Sequence, residues 1–182
     1  MIINIYTDGA CSGNQNDKNT GGWGAVLEYG EHQKELYGGE INTTNNRMEM
    51  TALLEALKAL TKDNLSLQCF SDSSYLMECF TKQWYIKWQK NGWITSNKTP
   101  VENKDLWEAL LQQIARQKEI RFFRVKGHLN PNNSSELEKW YKKFLQWNGN
   151  LFSKEDFLYF TKMNIKADDL ANKGIDAIRG TK

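Results

Sequence analysis

The chain has 182 residues, of which 40% are hydrophobic and 25% are charged, and its formal net charge is +2. This length and composition exclude a disordered chain and suit one domain with a buried core, and no apolar stretch is long enough to span a bilayer. The small net charge neither favours nor excludes a polyanionic partner, so such a partner would have to be held by a local patch.

The first half of the chain predicts a meander of strands, a helix and a further strand. Loose alternation and β-branched residues predict strands over residues 2–7, 22–29, 33–40 and 65–71. Gly9 and Gly13 are expected to bracket a tight turn after the first strand. A segment rich in Met, Ala, Leu and Glu predicts a helix from about residue 45 to residue 61, with Thr43 or Thr44 as its cap.

The second half predicts helices and one more strand. Helices over residues 73–82 and 103–117 and a strand over residues 120–126 precede a last helix over about 166–178. The first three strands suit an antiparallel meander, whereas the later strands arrive through helical crossovers and should lie parallel to the first. The sequence therefore predicts an α/β fold in which helices cover the faces of a mixed sheet.

The segment before the last helix, residues 129–163, has helix signals of its own. Ser135 followed by Glu138 is typical of a capping box, Gly149 is expected to end that helix, and Ser153 predicts the cap of another. We therefore expect a helical hairpin of two short helices. Acidic residues balance its lysines, so its composition alone predicts no basic patch.

The cysteines favour a reduced, cytoplasmic protein. Cys11, Cys69 and Cys79 are odd in number and form no C-x-x-C pair, so neither a disulfide framework nor a zinc site is expected. The first eight residues already include the carboxylate of Asp8 and do not resemble a secretory signal. We expect a cytoplasmic monomer that does not associate with a membrane.

Acidic residues at the ends of the predicted elements are the most informative feature. Asp8 ends the first strand, Asp72 follows the fourth, and Glu49 lies near the start of the first helix. Because open α/β sheets bind ligands at the ends of their strands, Asp8 and Asp72 would be neighbours if their strands pair in parallel. Asp168 or Asp169, at the expected start of the last helix, would complete the group.

Such a group of carboxylates needs a compensating charge. Two carboxylates about 4 Å apart repel by roughly 4 kcal/mol at an effective dielectric constant of 20. Mg²⁺ prefers carboxylate, water and phosphate oxygens, and two such ions can catalyse a phosphoryl displacement. Taken singly, however, each of these acids is better explained as a turn or cap residue. Spacing alone therefore suggests a metal site without establishing it.

Five motifs, in order along the chain, resemble those of the type I ribonuclease H family. They are Thr7-Asp-Gly-Ala-Cys-Ser-Gly-Asn14, Thr43-Thr-Asn-Asn-Arg-Met-Glu49, Ser71-Asp-Ser-Ser-Tyr75, Val125-Lys-Gly-His128 and Ala167-Asp-Asp-Leu-Ala171. The resemblance covers all but residues 129–163, an insertion, and the last few residues. It implies one domain over residues 1–182 with a five-stranded mixed sheet. The implied activity is two-metal hydrolysis of the RNA strand of RNA–DNA hybrids, which leaves 5′-phosphate and 3′-hydroxyl ends.

The resemblance also implies the catalytic residues. The carboxylates that would bind two Mg²⁺ ions, with Mn²⁺ as a substitute, are Asp8, Glu49, Asp72 and Asp168. Asp168 is preferred to Asp169 because it stands two residues before Leu170-Ala171, as the aspartate of the family does. His128 would act as a proton shuttle or assist product release, and it would be helpful rather than indispensable.

Contacts with the hybrid follow from the same resemblance. Residues implied at the minor groove are Cys11, Asn14, Asn45 and Asn46, and an asparagine amide can recognise the 2′-hydroxyl that distinguishes RNA from DNA. Thr44 would bind a phosphate of the DNA strand. Ser74 stands where the family often has a glutamine, so a base or sugar contact there would be weaker.

Residues 82–104 resemble the basic protrusion that holds the hybrid in this family. The segment contains five lysines against one glutamate, a local net charge of +4. The residues implied to contact the substrate are Trp84, Lys87, Trp88, Lys90 and Trp93. Lysines between aromatic residues suit a surface that follows a phosphate backbone. The alternative is a helix anchored by tryptophan, with Trp88 in the core and a solvated charged face.

Three alternatives stay open at this point. A catalytically silent hybrid-binding module would have the same fold, although four intact acids argue against it. A junction resolvase or an integrase-like enzyme would share the fold and the two-metal chemistry. The insertion, residues 129–163, is equally well explained as a lid or substrate contact at the site or as structural packing on the body of the domain.

Overall fold

A computed structural model describes residues 1–13 and 19–180, and five strands within these ranges form one sheet. The strands are β1 (Ile2–Ser12), β2 (Thr20–Tyr29), β3 (His32–Ile41), β4 (Ser66–Ser71) and β5 (Glu119–Arg124). Their order is β3-β2-β1-β4-β5; β2 is antiparallel to β1 and β3, whereas β4 is parallel to β1 and β5. The predicted mixed sheet is confirmed.

Helices cover both faces of this sheet. They are α1 (Asn45–Lys58), α2 (Ser74–Thr81), α3 (Trp84–Lys90), α4 (Lys104–Ala115), α5 (Ser134–Asn148) and α6 (Lys154–Ile178). α1 begins where expected, because the Thr44 hydroxyl accepts a hydrogen bond from the Arg47 amide. No helix in the described ranges combines the length and the apolar character needed to cross a membrane.

The alternation of side chains along the strands divides the core in two. Ile5 and Cys69 belong to the first core, where residues of α1, α2 and α4 pack, including the fully buried Trp107. Tyr6 and Phe70 point to the second core, with α5 and α6, and their rings stack with 5.1 Å between centroids. Because successive strand residues face opposite sides, the sheet supports a helical layer on each face.

α6 lies in direct contact with the backbone of β2. A Cβ atom on Gly22 would be 1.9 Å from the carbonyl oxygen of Ala171, and a Cβ atom on Gly24 would be 2.4 Å from that of Ala167. No side chain fits into either space, so only glycine permits this approach. The glycines of β2 therefore fix the height of α6 above the sheet.

The structure corrects the turn expected between Gly9 and Gly13. β1 continues to Ser12, because Gly9 pairs with Trp23 of β2 and Cys11 pairs with Gly21. The ladder of hydrogen bonds to β2 keeps these residues extended, although glycine has a low intrinsic preference for strands.

One helix is absent from the predicted elements, and another begins earlier than expected. α3 is a separate helix, divided from α2 by Gln83, whose positive φ of 56° interrupts the helical backbone. α5 begins at the cap residue Asn133, whose side chain accepts a hydrogen bond from the Glu136 amide. The expected capping box of Ser135 and Glu138 is therefore wrong, and asparagine serves the same purpose two residues earlier.

The predicted helical hairpin is present, but its second arm is not a separate short helix. α6 starts at the cap residue Ser153, which forms a capping box with Asp156, and continues unbroken to Ile178. Asp168 consequently lies in the interior of a helix and does not begin one. The sequence between residues 154 and 173 contains neither glycine nor proline, so nothing interrupts the helix there.

The insertion, residues 129–163, packs on the body of the protein. Phe144 and Phe157 are fully buried in the second core. Phe160 stacks on Phe70 of β4 with 4.2 Å between ring centroids. Since burial of such a side chain contributes about 1.5–3 kcal/mol, these contacts favour the structural explanation of the insertion.

Removing one of these rings tests the packing. Phe144→Ala should lower the free energy of unfolding by about 3–5 kcal/mol, because the side chain is 1% exposed and its removal leaves a cavity. Leu151→Ala is the matched control, since Leu151 is 53% exposed and its loss should cost less than about 0.5 kcal/mol. Urea denaturation followed by circular dichroism measures both values. Equal effects would show that the insertion does not pack on the sheet.

Candidate active site

Three carboxylates meet where the parallel pairing of β1 and β4 ends. Thr7 is the partner of Ser71 in the register, so the next residues, Asp8 and Asp72, lie side by side on neighbouring strands. Glu49 of α1 completes the group, and one oxygen atom of each of the three carboxylates lies within 4.8 Å of the other two. The structure thus brings together three of the acids that the sequence singled out.

Glu49 reaches the strand ends because α1 passes directly over Gly9. A Cβ atom on Gly9 would be 2.5 Å from the amide nitrogen of Glu49. Only glycine therefore allows the helix backbone to lie this close to β1. The cap at Thr44 fixes the start of α1 and, with it, the direction in which Glu49 points.

Burial and mutual repulsion make these carboxylates resist ionisation. Asp8 is 3% exposed and Glu49 is 7% exposed. Burial raises the pKa of Asp8, and the charges of Glu49 and Asp72 raise it further. Burial and then the charge of Asp72 raise the pKa of Glu49. The carboxylates therefore cannot all be ionised at neutral pH unless a cation compensates them.

α6 contributes a fourth carboxylate. Asp168 lines the same cleft. After burial and the nearer acids, its charge is a further cause of the raised pKa values of Asp8 and Glu49. Asp169 is exposed, as expected for a residue turned by about 100° around the helix.

A tight loop after β5 carries His128 to the rim of the cleft. A Cβ atom on Gly127 would be 2.1 Å from Oδ2 of Asp72, so the loop passes this carboxylate only because residue 127 is glycine. His128 is exposed and has a positive φ of 59°, which is uncommon for a residue other than glycine. The buried side chains of Val125 and Leu129 hold the loop on either side.

Several of the residues expected to contact the substrate lie around the cleft, which has a volume of about 470 Å³. They are Cys11, Asn45, Asn46 and Ser74. Asn45 and Asn46 are exposed as the first residues of α1, whereas Cys11 is half-buried and its thiol donates to the carbonyl oxygen of Thr43. Thr44 caps α1 beside them, and Asn14 lies outside the described residues.

The protrusion, residues 82–104, forms a surface apart from the cleft. Trp88 is half-buried and contacts Trp107 and Trp93, with ring centroids 5.8 and 6.3 Å apart. These rings anchor α3 to the first core, as the alternative explanation of Trp88 proposed. Lys87 and Lys90 are exposed on α3, as is Trp84, which Lys82 approaches at 5.6 Å. Lys87 and Lys90 therefore remain available to a polyanion.

Tyr75 is a residue of the site that the sequence analysis missed. It lines the cleft, and its hydroxyl accepts a hydrogen bond of 3.2 Å from Nε1 of Trp107. Trp107 in turn contacts Trp88, so Tyr75 links the cleft to the anchor of the protrusion. No local sequence signal indicates this link, because Tyr75 and Trp107 are 32 positions apart.

Two asparagines of α6 were also missed. Asn164 is 4% exposed, and its side chain opposes the rise in the pKa of Asp72 that burial causes. Asn172 lines the cleft, and its amide donates to the carbonyl oxygen of Asp168. Asn164, Asp168 and Asn172 follow each other at intervals of four, which places them on one face of the helix. This spacing is the sequence signal from which Asn164 and Asn172 could have been identified as neighbours of Asp168.

The side chains of the cleft suit a divalent metal ion. Oε2 of Glu49 is buried and has no hydrogen-bond partner among the described residues. An unpaired buried oxygen of this kind is costly, and a hard cation would satisfy it and reduce the repulsion among the acids. Because the acids offer only oxygen ligands, Mg²⁺ and Mn²⁺ fit better than softer metals.

The raised pKa values predict a characteristic dependence of stability on pH. In metal-free protein, the folded state binds more protons than the unfolded state above about pH 4, so the free energy of unfolding should fall as the pH rises. Asp8→Asn removes one of these groups, so near pH 8 it should be more stable than the parent by on the order of 1 kcal/mol. Near pH 4 this difference should vanish. Asp169→Asn is the exposed control and should match the parent throughout.

Urea denaturation in EDTA at several pH values measures these differences. If Asp8→Asn were less stable than the parent near pH 8, Asp8 would be an ionised, stabilising residue and the repulsive cluster would be wrong.

Comparison with known proteins gives the family. The family model described as RNase H matches residues 2–137. The ribonuclease H of Moorella thermoacetica is 50% identical over 133 residues, which cover 72% of this chain and 84% of the relative. The ribonuclease H of Caldanaerobacter subterraneus subsp. tengcongensis is 54% identical over 127 residues, which cover 70% of this chain and 80% of the relative.

Solved structures share the fold. LC9-RNase H1, a type 1 RNase H, superposes with a TM-score of 0.62 at 24% identity, over 86% of this chain and 80% of its own. The RNase H domain of PFV has a TM-score of 0.62 at 22% identity, over 96% and 94% of the two chains. At these low identities the solved structures show a common fold only. The family model and the relatives of about 50% identity show the family. The chain belongs to the RNase H family.

Proposed function

We propose that the protein cleaves the RNA strand of RNA–DNA hybrids internally and leaves 5′-phosphate and 3′-hydroxyl ends. Membership of the RNase H family makes the chain a hydrolase that acts on RNA. The observation that carries the finer proposal is the cluster of the buried Asp8 and Glu49 with the half-buried Asp72, and Asp168 lies in the same cleft. A solved structure of the same fold, that of LC11-RNase H1, is a complex with an RNA/DNA hybrid.

In this proposal the four carboxylates hold two Mg²⁺ ions, for which Mn²⁺ would substitute. When bound, such a pair of ions activates a water molecule and stabilises the leaving oxygen of a phosphodiester. The chain supplies oxygen ligands from three directions: Asp8 and Asp72 from the sheet, Glu49 from α1 and Asp168 from α6. Because the pKa values of Asp8 and Glu49 are raised, loading the site should release protons.

His128 would move a proton at the rim of the cleft. An imidazole ring has two nitrogens, so one can accept a proton while the other donates one. The exposed position of His128 lets it exchange the proton with solvent, and the glycine before it keeps the loop against Asp72. Loss of His128 should therefore slow the reaction without abolishing it.

The rim of the cleft would recognise the sugar of the RNA strand. Asn45 and Asn46 point exposed amides from the start of α1, and an amide can both donate to and accept from a 2′-hydroxyl. Cys11 and Ser74 would contact the minor groove beside them, and Asn14 would do the same. The Thr44 hydroxyl accepts one hydrogen bond as a helix cap and keeps its proton to donate to a DNA phosphate.

The protrusion would hold the hybrid further from the cleavage point. Lys87 and Lys90 would pair with phosphates, and the exposed Trp84 would pack on a sugar. Trp88 and Trp93 would act mainly by anchoring α3. In this proposal the protrusion, the insertion and the sheet are parts of one domain over residues 1–182.

The test compares one sequence as RNA–DNA hybrid, double-stranded RNA and double-stranded DNA, with Mg²⁺ and with EDTA. Only the RNA strand of the hybrid should be cut, only with metal, and the products should carry 5′-phosphate. Cutting of DNA duplexes or junctions would favour a resolvase-like or integrase-like enzyme. Tight binding of the hybrid without cleavage would favour a silent binding module.

A pair of variants tests the register of α6. Asp168→Asn should lower kcat for the hybrid by at least about 100-fold, since even residues that only support metal ligands are worth roughly 10–100-fold. Asp169→Asn makes the same chemical change on the exposed face and should leave kcat close to that of the parent. Steady-state cleavage of a labelled hybrid measures both. The reverse ranking would show that Asp169, not Asp168, belongs to the site.

A further inference from the structure

α5 carries cations and tryptophans beside the active-site loop. Trp140 and Trp147 contact each other with ring centroids 6.1 Å apart. Lys126 and Lys139 place their ammonium groups 4.8 and 5.3 Å from the Trp140 ring. Over the Trp147 ring lie the Arg124 guanidinium at 4.2 Å and the Lys143 ammonium at 5.9 Å. We call these six residues the α5 surface.

The positive charges of the α5 surface are not neutralised. None of its four cations forms a salt bridge with an acid in the described part of the chain. A cation over an indole ring is held in place by the ring but keeps its charge. Of the two glutamates of α5, Glu138 pairs with Lys154, and Glu136 lies in the first turn, near the positive end of the helix dipole.

Along the chain, only one residue separates the α5 surface from the active-site loop residue His128. Lys126 and His128 flank Gly127, which lies against Asp72. At the other end of α5, the Asn148 amide donates to the carbonyl oxygen of Arg124 and its own oxygen accepts from the Arg124 amide. These two bonds attach α5 to the end of β5, so the tryptophans hold a fixed position relative to the cleft.

We propose that the α5 surface binds the phosphate backbone of the hybrid beside the cleavage point, a proposal that rests on the proposed function. Trp140 and Trp147 are seven residues, or about 10 Å, apart along the helix. Phosphates of one strand rise by ~3.4 Å per nucleotide along the duplex axis, so this length of α5, laid along that axis, lies beside about three of them. The insertion is balanced in composition, but its fold places Lys139 and Lys143 with Arg124 and Lys126 and pairs Glu138 elsewhere.

Salt dependence of binding tests this proposal. Affinity for a fluorescein-labelled hybrid is measured by anisotropy in EDTA, so that the RNA stays intact, between 50 and 200 mM KCl. A plot of the logarithm of the association constant against the logarithm of the salt concentration has a negative slope. For Lys139→Gln/Lys143→Gln this slope should be less steep by about 1.8, the value for two lost phosphate contacts. Over this range the affinity of the parent should therefore fall roughly tenfold more than that of the variant.

Matched variants separate this contact from a general effect of charge. Lys142→Gln/Lys162→Gln removes two exposed lysines of the same insertion that lie outside the α5 surface, and it should keep the slope of the parent. Lys139→Arg/Lys143→Arg should also keep it. Equal melting temperatures establish that all three variants fold.

Two results would overturn the proposal. One is the same slope for Lys139→Gln/Lys143→Gln and the parent in a preparation that still cleaves the hybrid with Mg²⁺. The other is that Lys139→Gln/Lys143→Gln keeps the slope of the parent for the hybrid but loses a binding to phosphatidylserine vesicles that the parent shows. That result would assign the α5 surface to a membrane. Absence of hybrid cleavage by the parent would contradict the proposed function instead, so the two failures are distinguishable.

Discussion

Two helices bring carboxylates to the sheet, and both reach it across glycine. An aspartate side chain has a single methylene group, so Asp168 approaches the acids of β1 and β4 only if the backbone of α6 touches the sheet. Gly22 and Gly24 leave the space for that contact, and Gly9 does the same for α1 beneath Glu49. Any side chain at these positions would move a helix away from the sheet and separate the carboxylates. The close grouping of the carboxylates therefore depends on glycines that leave room for both helix backbones.

The same contact creates a local conflict that the rest of the fold must offset. Buried acids of like charge oppose folding unless they are protonated or bind a cation. The two aromatic cores supply the compensation, one around Trp107 and the other around Phe70 and its stacked neighbours. Without metal, the grouped acids lower the free energy of unfolding, and the large buried rings on both faces of the sheet offset this loss.

Much of the fold could be predicted, because its signals are local. The alternation of residues predicted the strands. The positions of Asp8 and Asp72 at strand ends predicted the edge of the sheet where the site lies. The parts that could not be predicted depend on tertiary contacts. The turn expected after Asp8 is a strand because β2 pairs with it. The contact of Tyr75 with Trp107 is invisible in sequence, as is the gathering of dispersed lysines on the α5 surface.

The continuity of α6 has a consequence for how this family member can change in length. Each residue added between the Ser153 cap and Asp168 would turn one half of the helix by about 100° relative to the other. Either Phe157 and Phe160 would leave the second core, or Asp168 would leave the cleft. Insertions and deletions should therefore be accepted here only in steps close to whole helical turns. The unbroken helix makes the length of this segment a condition for placing Asp168 in the cleft.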